Sequence, residues 1–145
     1  MTVEFDEYED NILARYEHWT SFLHPRQAYL GRNYIALNRT GYLDPYRDTT
    51  PAEKYELDVA VNGVYVALKK LYAPDKLDYT NFGNEWKHCH LHVIPRYKTS
   101  RDVNDEIFTD ENWGRNYAPY NKDFTISPQT FEIIKQSIKS ELMTL

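Results

Sequence analysis

Three histidines occupy alternate positions in the segment His88-Cys89-His90-Leu91-His92. Side chains of a β-strand alternate between its two faces, so the imidazoles are expected on one face at intervals of about 7 Å. Cys89 and Leu91 are then expected on the opposite, apolar face, against a helix. A single histidine in a strand usually has a packing role, but three on one face are difficult to explain by packing. The row therefore predicts a site that performs chemistry.

Two kinds of chemistry fit this row. Neutral imidazoles bind Zn, Cu, Fe and Ni. Alternatively, one imidazole attacks phosphorus while its neighbours hold the charged oxygens, because a pKa near 6.5 leaves much of it neutral at pH 7. Glu85 and Asp78 have no evident metal-ligand spacing, whereas the segment before the row contains residues suited to phosphate oxygens, namely Asn81, Gly83 and Asn84. Phosphate chemistry without a metal or other cofactor is favoured, and a metal site is the alternative.

The elements around the row follow from periodicity and capping signals. The histidine strand is predicted over 86–97, after a strand at 76–81 and a tight turn at 82–85. Thr50-Pro51-Ala52-Glu53 resembles a capping box, and apolar residues at helical spacing follow it. These signals predict a long amphipathic helix that ends near Ala73-Pro74.

The remaining segments complete the predicted architecture. Apolar residues spaced like one helix face predict a helix over 9–23, and a strand is predicted over 33–38. Residues 98–126 are expected to be irregular, and Ser127-Pro128 begins a last helix. The order of elements predicts an α+β fold with an antiparallel sheet, a long amphipathic helix and a C-terminal helix, in a single domain over 1–145.

Composition restricts the class of protein. With 145 residues, 41% apolar and 15% aromatic, the chain can form one core without disulfides. The lone Cys89 cannot form an internal bridge, the acidic start is unlike a secretory signal, and apolar runs are far shorter than the roughly 20 residues of a membrane helix. We expect a cytoplasmic protein with no membrane partner. The net charge of −5 argues against polymeric nucleic acid, but not against a small-molecule nucleotide.

The sequence resembles a known family. Residues 88–94 fit the histidine triad (HIT) pattern, His-x-His-x-His followed by two apolar residues, and Pro95-Arg96 continues it. His18-Trp19, Tyr29-Leu30-Gly31-Arg32 and the tail Trp113-Gly114-Arg115-Asn116-Tyr117-Ala118-Pro119-Tyr120 resemble a bacterial branch of that family. The resemblance covers nearly the whole chain and implies a HIT-like fold.

The resemblance also implies an activity. HIT proteins act as nucleotide hydrolases or nucleotidyl transferases at the α-phosphate of dinucleoside polyphosphates or nucleoside phosphoramidates, through a covalent nucleotidyl-histidine. It implies that His90 is the nucleophile, that His88 orients it through its backbone carbonyl, and that His92 contacts phosphate oxygens. It further implies a homodimer without a metal. Some members bind nucleotides as regulators with little turnover, which is a further alternative.

This sequence departs from the family pattern in three places. Asn84 stands where many members have a glutamine, and Asn81 lies only seven residues before His88, so the phosphate loop is short. Residues 37–41 lack the histidine that meets the leaving group, so either Arg39 substitutes electrostatically or the leaving group is handled differently.

His18 and His24 are expected to be surface or capping residues. The aromatic tail is expected to close over one side of the site or to dock on the sheet.

Overall fold

Seven strands and two α-helices form the part of the chain that the computed structural model describes, residues 6–41, 43–81 and 83–144. A 3-10 helix, Asp6–Asn11, precedes them. The strands are β1 Ile12–Arg15, β2 Trp19–Leu23, β3 Asn33–Leu37, β4 Lys76–Thr80, β5 His90–Arg96, β6 Arg101–Val103 and β7 Glu106–Phe108; the helices are α1 Pro51–Tyr72 and α2 Pro128–Met143.

The main sheet has five strands in the order β1-β2-β3-β5-β4, and every neighbouring pair is antiparallel. Strands β6 and β7 form a separate hairpin. The histidine strand β5 therefore lies inside the sheet, between β3 and the edge strand β4. The predicted α+β class, with its antiparallel sheet, long helix and C-terminal helix, is confirmed.

Helix α1 begins at the predicted capping box. The Thr50 hydroxyl accepts a hydrogen bond from the Glu53 backbone N–H at 3.1 Å, and the Glu53 carboxylate accepts one from the Thr50 N–H at 2.8 Å. The helix ends where Ala73 adopts a left-handed conformation with φ 48°. Its bounds agree with the sequence prediction. Neither helix among the described residues is long and apolar enough to cross a membrane.

The two faces of the sheet differ in character. One face packs against both helices, and its core includes Val93, Val64 and Ile138 together with the buried Cys89. This confirms the expectation that Cys89 faces away from the histidines. On the opposite face, a small cluster of Ile12, Phe22, Tyr34 and Ala36 supports the histidines, and Trp86 packs against it.

The helix predicted over 9–23 is wrong. Strands β1 and β2 occupy this segment and form a hairpin in which the Tyr16 N–H donates to the Trp19 carbonyl at 2.8 Å. Every residue of β2 is buried, so its apolar residues need not alternate. The helix-like spacing arose by combining apolar positions from two different strands.

Two further predictions need correction. The histidine strand begins at His90, so His88 lies just before it rather than within it. Residues 98–126 contain the β6–β7 hairpin, although the remainder is irregular as expected. The turn predicted at 82–85 falls partly outside the described residues, because Phe82 is not among them; Gly83 has φ +62°.

Candidate active site

A cavity of about 740 Å³ opens over the histidine face of the sheet. Its walls come from the β2–β3 loop, the segment before β5, the first residues of β5, and the tail around 117–122. Side chains capable of chemistry converge there, among them His24, Arg32, His90 and His92. A second cavity, of about 460 Å³, shares Pro119 and Tyr120 with the first and has no histidine in its lining.

Strand register sets the floor of the cavity. Ala36 is directly opposite His90, and Tyr34 is directly opposite His92. Cross-strand partners project from the same face, so the small Ala36 leaves room for the imidazole of His90. The Tyr34 ring lies 6.0 Å from the His92 ring and 5.0 Å from Phe22, with which it stacks. The floor is thus closely packed and largely apolar.

A chain of hydrogen bonds fixes the proton positions on the histidines. The His88 side chain bonds through Nε2 to the Leu37 carbonyl. The His88 carbonyl is 2.6 Å from Nδ1 of His90, and a carbonyl only accepts, so His90 carries its proton on Nδ1. Nε2 of His90 is therefore an unprotonated acceptor when the ring is neutral. It lies 3.0 Å from Nε2 of His92, which must be the donor.

The environment favours neutral imidazoles. Burial lowers the pKa of His90, which is only 4% exposed. Burial, followed by the neighbouring His90 and then by the positive charge of Arg32, lowers the pKa of His92 to about 3. Nδ1 of His92 is enclosed without a hydrogen-bond partner. At neutral pH the pair holds a lone pair on His90 and a proton on His92, which suits attack on an electrophile.

The histidines do not form an evenly spaced row. The ring centroids of His90 and His92 are 4.7 Å apart, closer than the strand repeat, because their Nε2 atoms are hydrogen-bonded. The Trp86 ring lies against His88 and His90, with centroid distances of 5.1 and 4.8 Å.

Within the described residues, no group of three or more His, Cys, Asp or Glu side chains is arranged to hold a metal ion.

The other predicted site residues separate into two groups. Gly83 and Asn84 line the cavity. Asn81 hydrogen-bonds with the thiol of Cys89, on the helix side of the sheet, while burial raises the pKa of that thiol.

Arg39 is also not brought to the cavity. Its guanidinium binds the Glu53 carboxylate at 2.7 and 3.0 Å, and this pair holds the pKa of Glu53 down to about 2. Arg39 therefore ties the start of α1 to the end of β3, and its predicted electrostatic substitution at the leaving group is not supported by its position.

His24 was expected at the surface or as a cap, but it lines the cavity. Its ring centroid is 6.0 Å from that of His92. The Arg26 backbone N–H donates to Nδ1 at 3.0 Å, so neutral His24 carries its proton on Nε2. Burial, followed by the charge of Arg32, lowers its pKa to about 3.

Gln27 holds the loop that positions His24 and Arg32. Its buried amide donates to the carbonyls of both residues, at 2.8 and 2.9 Å, and accepts from the Gly31 N–H at 2.8 Å. The His24 N–H also donates to the Arg32 carbonyl at 2.9 Å. The pairing of β2 with β3 brings His24 and Arg32 together at the loop. A hairpin predicted over residues 19–37 would indicate this contact, whereas the helix predicted over 9–23 does not.

The aromatic tail forms one wall of the cavity through Tyr117 and Tyr120. Buried Arg96 anchors the tail base, binding the Asp110 carboxylate at 2.8 Å and the Asn112 carbonyl at 2.6 Å. The Asn112 amide then donates to the Tyr117 carbonyl at 3.1 Å. The tail thus closes one side of the site, in agreement with the first of the two expectations.

Comparison with known proteins gives similarity in structure only. No family model matches the chain, and no curated protein matches it in sequence. A histidine triad protein from Sinorhizobium meliloti matches with a TM-score of 0.76 and 17% identity, over 97% of each chain. A histidine triad protein from Marinobacter aquaeolei matches with a TM-score of 0.73 and 15% identity, over 100% of this chain and 98% of that one.

The chain has a histidine triad fold. A diadenosine triphosphate hydrolase from Plasmodium falciparum, solved with cyclomarin A, shares this fold with a TM-score of 0.60 and 16% identity, over 92% of this chain and 77% of the hydrolase. Identities of this size establish the fold but not the activity, because one fold can carry sites with different chemistry.

Proposed function

We propose that this protein is a nucleotide hydrolase or nucleotidyl transferase in which His90 attacks the α-phosphate of a nucleotide. The observation that carries the proposal is the Nδ1–H of His90 bound to the His88 carbonyl, 2.6 Å away. This bond places the lone pair of His90 on Nε2, where His92 donates to it until a substrate phosphoryl group takes that place, inside a cavity large enough for a nucleotide. The diadenosine triphosphate hydrolase that shares the fold is consistent with this substrate class.

The proposed reaction has two steps. In the first, the Nε2 lone pair of His90 forms a bond to the α-phosphorus, and the bond to the leaving group breaks with its electron pair. The ring becomes positive while Nδ1–H remains bound to the His88 carbonyl, which stabilises the charge. In the second, water or the hydroxyl of another acceptor attacks phosphorus, its proton passes to solvent, and the N–P electron pair returns to His90.

His92 changes partner during this reaction. In the structure its Nε2–H donates to Nε2 of His90. A substrate phosphoryl group between the rings separates them, and the same N–H can then donate to a phosphate oxygen. Such a donor stabilises the charge that develops on the oxygens during attack. Gly83 and Asn84, on the cavity wall, are proposed to contact the phosphates as the sequence predicts.

Substrate turnover tests the proposal. We would incubate the protein with dinucleoside polyphosphates and nucleoside phosphoramidates, measure mononucleotide product, and search for a nucleotidyl adduct by intact-mass spectrometry. His90→Asn should lower turnover by about 10⁴-fold or more and abolish the adduct. His18→Asn is the matched control, because its partly exposed ring lies beside Glu17 rather than in the cavity.

The outcomes discriminate between the alternatives. The proposal is supported if a nucleotidyl adduct forms on His90 and if turnover is lost in His90→Asn but not in His18→Asn. Ordinary turnover by His90→Asn would exclude it. Nucleotide binding without product would favour a regulator instead, and turnover lost only on chelation would favour a metal enzyme.

We further propose that the protein is a homodimer. Strand β4 is an edge strand of the main sheet, and open edges and exposed apolar side chains favour association. Exposed apolar residues occur on β4 and α1, namely Tyr55, Val59, Tyr65, Val66 and Tyr79. Light scattering coupled to size-exclusion chromatography should give twice the monomer mass of 17.3 kDa; a monomer at micromolar concentration would exclude this proposal.

A further inference from the structure

Arg32 is a buried cation whose charge has no protein counter-ion in the described part of the chain. It is 4% exposed and lines the candidate active site. Among the side chains that the structure describes, those of residues 8–41, 43–81 and 83–144, its guanidinium forms no ion pair with any carboxylate, unlike those of Arg39 and Arg96. Burying an ionised group without a partner is costly, so such an arrangement needs a reason.

The hydrogen-bonding capacity of this guanidinium is also largely unused. Nη1 donates to the Tyr120 phenol at 2.9 Å, while Nε is enclosed without any acceptor. A guanidinium has five N–H donors in a planar fork that matches the oxygens of carboxylates and phosphates. Arg32 therefore offers donors to an anion that the protein itself does not supply.

Its surroundings fix the fork in place. The guanidinium lies 5.3 Å from the centre of the Tyr117 ring and 5.2 Å from that of Tyr120. Gln27 binds the Arg32 carbonyl from the other side. A cation positioned by aromatic rings and a fixed backbone loses little freedom when an anion arrives.

The charges that line the cavity favour an anion. Arg26 and Lys122 also line it, and Glu85 is the one carboxylate among the described lining residues. His24 and His92 stand close to Arg32, since its positive charge contributes to lowering the pKa of both rings. Because these imidazoles are neutral they add no positive charge that would compete for the anion, and an imidazole in either protonation state supplies no negative charge.

We propose that Arg32 binds a second anionic group of the substrate, adjacent to the phosphate that His90 attacks. Its buried, unpaired guanidinium selects nucleotides with a diphosphate or longer chain over phosphoramidates, whose leaving group is an uncharged amine. The inference rests on the proposed function for the identity of the attacked phosphate. The anion-binding role of Arg32 can nevertheless be measured without turnover.

Equilibrium binding is the primary test. Calorimetry would compare ADP with AMP, and GDP with GMP, on the whole protein and on Arg32→Gln, Arg32→Lys and Arg15→Gln. We expect the unmodified protein to bind at least one diphosphate about 10- to 100-fold more tightly than its monophosphate, as for a charge-assisted bidentate contact. Arg32→Gln should remove this preference, and Arg32→Lys should retain part of it because lysine keeps the charge without the fork.

Arg15→Gln is the matched control. Arg15 is exposed, pairs with Glu9 at 3.2 Å, and its substitution changes the net charge equally, so the preference should persist. Equal affinities of the unmodified protein for mono- and diphosphates, or no binding of either diphosphate, would overturn the inference. So would a folded Arg32→Gln protein that keeps the preference, because Arg32 would then serve only to hold Tyr117 and Tyr120.

Steady-state kinetics provides a second test of the role of Arg32. In Arg32→Gln, kcat/KM should fall about 10- to 100-fold for a dinucleoside triphosphate and change less than about threefold for an adenosine phosphoramidate. Equal losses of kcat/KM for both substrates would contradict the proposed preference for substrates with a second anionic group. Absence of turnover in the unmodified protein contradicts the proposed function, whereas the diphosphate preference reports on Arg32 alone.

Discussion

Nε2 of His92 lies 3.0 Å from Nε2 of His90, so the proton of one imidazole points at the lone pair of the other. The His88 carbonyl holds the remaining proton of His90 on Nδ1. This arrangement makes the two histidines unequal despite their equivalent places in the sequence. His90 is the acceptor of this hydrogen bond and His92 is the donor, which is the arrangement that the proposed function requires.

Replacement of His92 tests this inequality. His92→Ala removes a phosphate donor but leaves the His90–His88 bond, so kcat should fall by about 10²-fold, less than in His90→Asn. Steady-state kinetics on one substrate would compare the two variants. Equal losses would mean that the assigned roles need revision.

The lowered pKa values of His24 and His92 predict loss of stability in acid. Both folded-state pKa values are about 3, below the unfolded value of about 6.5, so the unfolded chain binds more protons between these pH values. Their contribution to stability is fully present above pH 6.5 and is lost as the pH falls toward 3. The slope approaches about 1.4 kcal/mol per pH unit for each histidine.

Urea denaturation between pH 7 and pH 4.5 would measure this effect. A His24→Gln/His92→Gln double variant is the comparison, since its carboxylates titrate as before while both imidazoles are absent. Its free energy of unfolding should fall less steeply with acid than that of the unmodified protein. Parallel curves would show that these histidines do not carry the pH dependence.

Arg39 and Glu53 are predicted to act in stability rather than in substrate binding. Glu53 is 3% exposed, and it also caps α1, so removing its charge partner leaves a buried carboxylate. Because the Arg39 side chain is 38% exposed and partly screened, Arg39→Gln should cost about 2 kcal/mol rather than the full value for a buried pair.

Kinetics separates this role from the one expected from the sequence. At a temperature where the variant is folded, kcat/KM of Arg39→Gln should stay within about twofold of the unmodified value. A fall in kcat/KM for substrates with one kind of leaving group, without a change in the denaturation midpoint, would instead indicate that Arg39 acts on the leaving group.

Asn112 is predicted to hold the tail against the cavity. Its amide donates to the Tyr117 and Pro119 carbonyls at 3.1 and 2.9 Å and to the Tyr29 hydroxyl at 3.0 Å. Asn112→Ala should raise KM severalfold and lower stability by about 1–2 kcal/mol. Asn121→Ala is the control, because the Asn121 side chain accepts only a local bond from the Asp123 N–H. Similar KM values for the two variants would contradict a role of the tail in binding.

Local signals in the sequence were sufficient for several elements. The Thr50–Glu53 capping box and the apolar periodicity after it determine α1, because both act within a few residues of the chain. The alternation from Cys89 to Val93 likewise assigns opposite faces of β5. The N-terminal hairpin was mistaken for a helix because burial on both sides of β2 removes alternation from the pattern.

The sequence by itself determined that His90 and His92 share a face, since strand geometry depends on nothing beyond the chain around them. Only the tertiary structure decided that His24 and Arg32 join that site and that Arg39 does not. Their positions depend on strand pairing, on the loop held by Gln27, and on a tail whose Tyr120 lies 88 residues from Arg32 in the chain. Contacts between such distant segments leave no local pattern, so residue type and spacing cannot reveal them.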